Sequence, residues 1–389
     1  MKDVVTMLQI YLKQLKTNFN GVKMINFKKQ LQNIQNYIPG KPIEEVKREL
    51  GLRGEIYKLA SNENPLGISP KALKAIKDSL NQINFYPDDN NFYLKKRLSE
   101  SLNIKEEMII LGNGSVEIIN NIIFSFTENK DRVLRPSPSF IMFKISALIN
   151  GCKVVEIPHK NFKNDVASIV NSLKKSKFKI VYLDNPNNPL GSMIFEDELK
   201  YLLKNVPSDT LILLDEAYND YIDDRVRIDS TKFLKKYKNL VILRTFSKIY
   251  GLAGLRVGYG IANGEIVSIL QKVRLPFNVN LLAQKAALAA IDDYKHLKES
   301  KDLNDKGIRF LTDNLKKMGF FVIDSYTNFV TFDCDCDSKI IFEKLQKKGV
   351  IVRPIDNYGL KTFLRVTTST EKGNRIFVER LKEVLDEVR

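Results

Sequence analysis

Short, wholly apolar runs in an otherwise polar chain give the first outline of the fold. Ile180-Val-Tyr-Leu183, Leu211-Ile-Leu-Leu214 and Leu240-Val-Ile-Leu243 each have the length of a strand and no polar alternation. That is the pattern of strands buried on both faces of a sheet. Helix-length crossovers separate them, which predicts an open, mostly parallel α/β sheet with helices on both faces. Each run leads into a polar cluster: Asp184-Asn-Pro-Asn-Asn-Pro-Leu-Gly191, Asp215-Glu-Ala-Tyr218, and Arg244-Thr-Phe-Ser-Lys248. All three clusters fall at C-terminal strand ends, where ligands bind in such sheets. Gly112-Asn-Gly-Ser-Val-Glu117 runs into Ile118, Ile119, Ile122 and Ile123, a glycine turn opening an apolar-faced helix. Nearer the C-terminus, Val350-Ile-Val352 and Thr362-Phe-Leu364 lead to Arg353 and Arg365. At the other end, Val4, Val5, Leu8, Leu12 and Leu15 form a helical stripe interleaved with lysines.

Lys248 gives these clusters their chemistry. It lies among apolar residues, the hydroxyls of Thr245 and Ser247, and a glycine-rich stretch ending at Arg256. A lysine held in such a setting loses hydration, its pKa falls, and the neutral amine can attack a carbonyl. Thr245, Ser247 and Arg256 supply donors for a phosphate. A lysine nucleophile beside a phosphate cradle is what a pyridoxal phosphate (PLP) enzyme needs. The ordinary reading of Ser-Lys before a glycine-rich turn, a solvated loop, weakens once the other two strand-end clusters are placed beside it.

The chain resembles the fold-type-I PLP-dependent aminotransferases over roughly residues 36 to 389, and within them the histidinol-phosphate aminotransferase subfamily. Besides the segments above, the resemblance is carried by Tyr37-Ile-Pro-Gly-Lys-Pro42, Lys58-Leu-Ala-Ser-Asn-Glu-Asn-Pro-Leu-Gly67, Tyr86-Pro-Asp88, Arg274-Leu-Pro-Phe-Asn-Val279 and Leu364-Arg-Val-Thr367. It implies a large domain with a mostly parallel, seven-stranded-type sheet flanked by helices, plus a small α+β C-terminal domain. The expected boundaries are 1–52 for an N-terminal extension and arm, 53–275 for the large PLP-binding domain, and 276–389 for the small domain. Pro276 would break a helix at the join.

The resemblance also implies roles. Lys248 carries PLP and then moves the proton; Asp215 pairs with the pyridine nitrogen; Tyr218 and Asn188 hydrogen-bond the phenolate oxygen. Ser115, Val116, Thr245, Ser247 and Arg256 hold the phosphate, Phe140 stacks on the ring, and Tyr86 reaches the phosphate of a neighbouring subunit in a homodimer. Arg365, Arg353 and Tyr37 are the expected substrate contacts, because a guanidinium fork suits carboxylate and phosphate alike. Plainer roles stay open: N-cap for Asp215, Asx-turn for Asn188, core packing for Tyr218 and Phe140, surface salt bridges for the two arginines. The implied reaction is transamination of histidinol phosphate with 2-oxoglutarate. An aromatic amino-acid aminotransferase and a PLP-dependent threonine-phosphate decarboxylase are the alternatives. Two departures touch substrate loops: Leu190 stands where relatives carry threonine, and Ser369-Thr370 where they carry Gly-Thr.

Composition narrows the field. No apolar run among the 389 residues approaches the roughly 18 of a membrane span. Two histidines leave little for a His-based triad or metal centre, and three cysteines cannot all pair, so neither a metal site nor a disulfide framework is expected. A cytoplasmic location fits. The +16 net charge lacks any accompanying nucleic-acid motif, and the lysines are scattered. They are read as solvated faces that attract anionic substrates, without nucleic-acid or membrane partners. Residues 1–26 lie outside the resemblance. Translation from Met24, or an arm packed on a partner subunit, would each account for them, and a secretory signal is not expected.

Overall fold

The computed structural model describes residues 26–34, 40, 42–51 and 54–387. The helical stripe near the N-terminus, and Tyr37, lie outside them. The strands are β1 (Tyr57–Lys58), β2 (Ile109–Gly112), β3 (Arg132–Ser137), β4 (Lys153–Pro158), β5 (Ile180–Asp184), β6 (Leu211–Asp215), β7 (Leu240–Thr245), β8 (Gly258–Ala262), β9 (Val322–Ile323), β10 (Phe329–Asp333), β11 (Val350–Ile351), β12 (Arg353–Pro354) and β13 (Phe363–Thr367).

Seven of them form one sheet in the order β2-β8-β7-β6-β5-β3-β4. All pairs are parallel except those made by β8, which runs against both β2 and β7. The three apolar runs are β5, β6 and β7, and every residue in them is buried. Alternate side chains feed two cores. Val181, Leu183, Ile212, Leu214 and Ile242 face one way, against the helices Val166–Lys175 and Glu196–Asn205. Ile180, Tyr182, Leu213, Val241 and Leu243 face the other, against Ser115–Phe126, Ile141–Ile149 and Gly264–Val273. Full burial on both faces is why these strands show no polar alternation.

A second, antiparallel sheet has the order β12-β13-β10-β9. Its core includes Leu311, Leu315, Phe332, Leu345, Leu364 and Phe377, from β10, β13 and the helices Tyr294–Lys317, Ser338–Lys347 and Glu371–Asp386. Two segments cross the divisions read from sequence. The helix Leu281–Ile291 places Ala283, Ala286, Ala287 and Ala290 in the large-sheet core, C-terminal of Pro276. Conversely β1 pairs with β11, and Leu59 belongs to the small core. The backbone after Leu59 therefore leaves the small core, and Ala60 to Glu63 line a cavity at the rim of the large sheet. Residues 36–389 cluster as a single unit. In the N-terminal unit, the described residues contain one 3-10 helix, Lys29–Asn33.

Candidate active site

Strands β5, β6 and β7 end side by side, with Asp184 opposite Asp215 and Asp215 opposite Leu243 in the pairing register. Gly112 and Thr245 both pair with Gly258, so the ends of β2 and β7 reach the same rim. Above that rim lies a cavity of about 280 Å³, which Arg353 and Arg365 of the small sheet and Tyr358 of the turn between their strands also line. Lys248, Asp215, Tyr218, Asn188, Ser115, Val116, Phe140, Thr245, Ser247 and Arg256 all line it.

The amine of Lys248 lies 3.5 Å from the Ser61 carbonyl and 5.6 Å from the centre of the Tyr218 ring. Burial and, next in size, the nearby guanidinium of Arg365 lower its pKa from 10.5 to about 8. Asp215 is 4 % exposed. Its Oδ2 accepts from the Tyr182 hydroxyl at 3.0 Å and its Oδ1 from the Ala217 amide at 3.1 Å. Burial outweighs those bonds and pushes its carboxyl up to about 6. Immediately after it, Glu216 forms a buried ion pair with Arg244 at 2.9 Å, tying the end of β6 to β7. That pair fixes Asp215 relative to the Thr245–Lys248 loop.

The other wall is an anion cradle. Helix Ser115–Phe126 starts at the cavity with Gly114 as its N-cap, at φ 74° and ψ 165°. A side chain there would collide with the Arg256 guanidinium. A Cβ at Gly258 would stand 2.6 Å from the Ser115 amide nitrogen, so glycine at both positions lets the helix start pack against Arg256 and β8. Arg256 donates to Ser247 Oγ at 3.3 Å, and the Ser247 amide donates to Thr245 Oγ1 at 3.1 Å. Free helix-start amides, two hydroxyls and a guanidinium together form a phosphate-binding set.

On the small-sheet side, Arg353 and Arg365 face each other across β12 and β13. Arg365 donates to Asn188 Oδ1 at 2.6 Å and to the Ala60 carbonyl at 2.8 Å. Asn188 in turn donates to the Tyr218 hydroxyl at 3.2 Å, and Asn62 donates to the same oxygen at 2.8 Å. Tyr86 stands elsewhere: it is 82 % exposed and stacks on Phe277 with ring centroids 4.6 Å apart.

Comparison with known proteins adds a family. Residues 54–381 match the model for aminotransferase class I and II. A histidinol-phosphate aminotransferase from Caldicellulosiruptor saccharolyticus is 45 % identical over 359 residues, covering 92 % of this chain and 100 % of its own. The chain belongs to the histidinol-phosphate aminotransferase family. Among solved structures, the Sinorhizobium meliloti histidinol-phosphate aminotransferase in complex with pyridoxal-5'-phosphate superposes with a TM-score of 0.87 at 26 % identity. That match covers 94 % of this chain and 98 % of the other. The L-threonine-O-3-phosphate decarboxylase of Porphyromonas gingivalis reaches 0.75 at 25 % identity, over 85 % of this chain and 100 % of its own.

For a member of the histidinol-phosphate aminotransferase family, the sequence reading left out several cavity residues. Asn62 and Glu63 belong to a segment valued only as a family mark, although Asn62 reaches Tyr218. Asp184 reads only as part of a strand-end polar cluster, and Tyr358 follows an arginine loop without any chemical signal of its own. The Leu190 departure is a packing matter: it is fully buried against Ile323, Ile355 and Phe363. Thr370 caps the last helix through the Gly373 amide.

The amine makes a direct prediction. Competitive acylation followed by peptide mass spectrometry should show Lys248 reacting with a midpoint at about pH 8, below that of the surface lysines. Arg365→Gln removes a neighbouring positive charge and should move that midpoint upward. A Lys248 midpoint at the surface-lysine value would contradict the site's electrostatics.

Proposed function

We propose that the chain catalyses PLP-dependent transamination of L-histidinol phosphate with 2-oxoglutarate, giving imidazole-acetol phosphate and L-glutamate, a step of histidine biosynthesis. The observation that carries the reading is a single cavity containing a lysine with depressed pKa, a buried carboxylate and a phosphate-binding helix start. This donor set fits PLP end to end. An aldehyde needs a neutral amine, a pyridine nitrogen a carboxylate, and a phosphate the glycine-lined cradle at Ser115 and Arg256.

When bound, PLP supplies an electron-poor ring that stabilises the carbanion formed at the substrate Cα. Lys248 would hold the cofactor and, through Nζ, would move the proton between the substrate Cα and C4′ of the cofactor. An amine with its pKa near the working pH does both jobs better than one at 10.5. Asp215 keeps a proton at the pyridine nitrogen. Tyr218 and Asn188, already converging within 3.2 Å, orient the phenolate oxygen. Phe140 covers one ring face, while Ser115, Val116, Thr245, Ser247 and Arg256 grip the phosphate.

Arg353 and Arg365 bind the anionic end of either amino donor, and Tyr37, outside the described residues, keeps the substrate role the resemblance implies. Like charges directly opposite on neighbouring strands repel, and a phosphate or carboxylate between their forks turns that cost into binding. A transaminase serves two donors in one site, and guanidinium forks accept both anions.

Tyr86 supports a homodimer. It lies on an exposed apolar face with Phe85 at 69 %, Leu275 at 70 % and Ile83 at 64 % exposure, more than a solitary surface needs. By the family resemblance, a second copy covering this face would receive Tyr86 at its phosphate cradle. Sedimentation velocity at assay concentration should return a dimer, and a catalytically active monomer would remove the shared-site reading.

Turnover separates the substrate alternatives. Histidinol phosphate should be preferred over phenylalanine, tyrosine and threonine phosphate by at least tenfold in kcat/KM, and only with 2-oxoglutarate present. That ratio corresponds to roughly 1.4 kcal/mol of differential transition-state binding. Preference for an aromatic amino acid, or carbon dioxide release without an acceptor, would overturn the substrate assignment.

A further inference from the structure

Asp184 carries a second carboxylate into the cavity, one residue across from Asp215 in the sheet register. It is 3 % exposed, and its bonds differ in kind from those of Asp215. One oxygen, Oδ2, accepts from two backbone amides belonging to different loops: Phe140 at 2.9 Å and Asn188 at 3.1 Å. The other, Oδ1, accepts from the Asn187 side chain at 2.9 Å. Asn187 is fully buried and also donates to the Pro138 carbonyl at 3.0 Å, joining the same two loops a second time.

Burying a carboxylate is costly, and the cost is met only where several donors converge on it. Here three donors do so. Two come from the backbone of the residues assigned to the ring face and the phenolate oxygen. Moving the carboxylate moves both loops. A neutral replacement cannot reproduce the pattern. An amide oxygen could take the Phe140 and Asn188 amides, but its NH2 would then confront the Asn187 NH2. Asn187 cannot turn over to relieve this, because its Oδ1 already accepts from the Leu190 amide at 3.0 Å.

We propose that Asp184 is a positioning residue for the reaction: its carboxylate sets the spacing between Phe140 and Asn188, and through them how the cofactor ring is held above Asp215. This rests on the PLP reading. It concerns a residue that makes none of the cofactor contacts assigned above and acts through two that do. Burial pushes the Asp184 carboxyl up to about 7, so the anionic acceptor depends on these three donors being in place.

The test uses the full chain carrying Asp184→Asn or Asp184→Ala, compared with wild type and with Asp293→Asn. Asp293 is a buried aspartate outside the cavity lining, hydrogen-bonded to Ser69. Hydrogen exchange without cofactor reads the two amides directly. Those of Phe140 and Asn188 should exchange about tenfold faster or more in Asp184→Ala, with a smaller change in Asp184→Asn. With PLP added, both variants should bind it about tenfold more weakly, show reduced visible circular dichroism from the bound cofactor, and lose kcat with little change in KM. Asp293→Asn should lower Tm without altering any of these. If Asp184→Asn, the isosteric and better-folding variant, keeps wild-type exchange at both amides and wild-type cofactor dichroism, the proposal is overturned. Absence of PLP binding in the wild type would instead strike down the functional reading, and the exchange result would still decide whether Asp184 holds the two loops.

Discussion

Loss of water at the C-terminal rim of the large sheet is the constraint on which the rest of the site depends. Strands β5 and β6 each end in an aspartate and β7 leads to a lysine, so three ionisable groups meet where solvent is largely excluded. Desolvation dominates each of them. It lowers Lys248 to about 8 and raises Asp215 to about 6 and Asp184 to about 7. Each shift disfavours the charged form: for Lys248 this frees the amine for addition and proton transfer, whereas the two carboxylates keep their charge only through the donors that converge on them.

Such a rim holds together only because neighbouring groups are tied to one another. The Glu216–Arg244 pair locks β6 to β7, the Tyr182 hydroxyl supports Asp215 from within the sheet, and Asp184 gathers the two loops beside it. The small sheet contributes from outside. Arg365 reaches Asn188 on the large-sheet side and the Ala60 carbonyl on the crossing segment. One hydrogen-bonded network therefore joins the residues proposed for substrate recognition to those proposed for cofactor contact, from Arg365 through Asn188 and Tyr218 to Asn62.

Much of this was legible in the sequence because strand ends are marked locally. Fully buried parallel strands read as uninterrupted apolar runs, and Lys248, Asp215 and Asn188, at or soon after their ends, line one cavity. The glycine turn at 112–114 gave the start of the helix at Ser115. What stayed hidden depends on contacts across the sheet or between distant segments. Tyr182 looks like one more apolar residue of a strand, and only the register places its hydroxyl on Asp215. Asp184 reads as one more polar residue at a strand end, because its three donors come from two loops. The pairing of β1 with β11 joins residues almost 300 positions apart. The alanine-rich helix Leu281–Ile291 gives no sign that it belongs to the large core.

The central claim is that Lys248 is the amine around which the cavity is built. Borohydride trapping of the protein with PLP, followed by peptide mapping, tests it most directly. The account predicts a pyridoxyl group on the peptide containing Lys248 and on no other lysine at stoichiometric yield. Its appearance on a different lysine, or no covalent label at all, would contradict it.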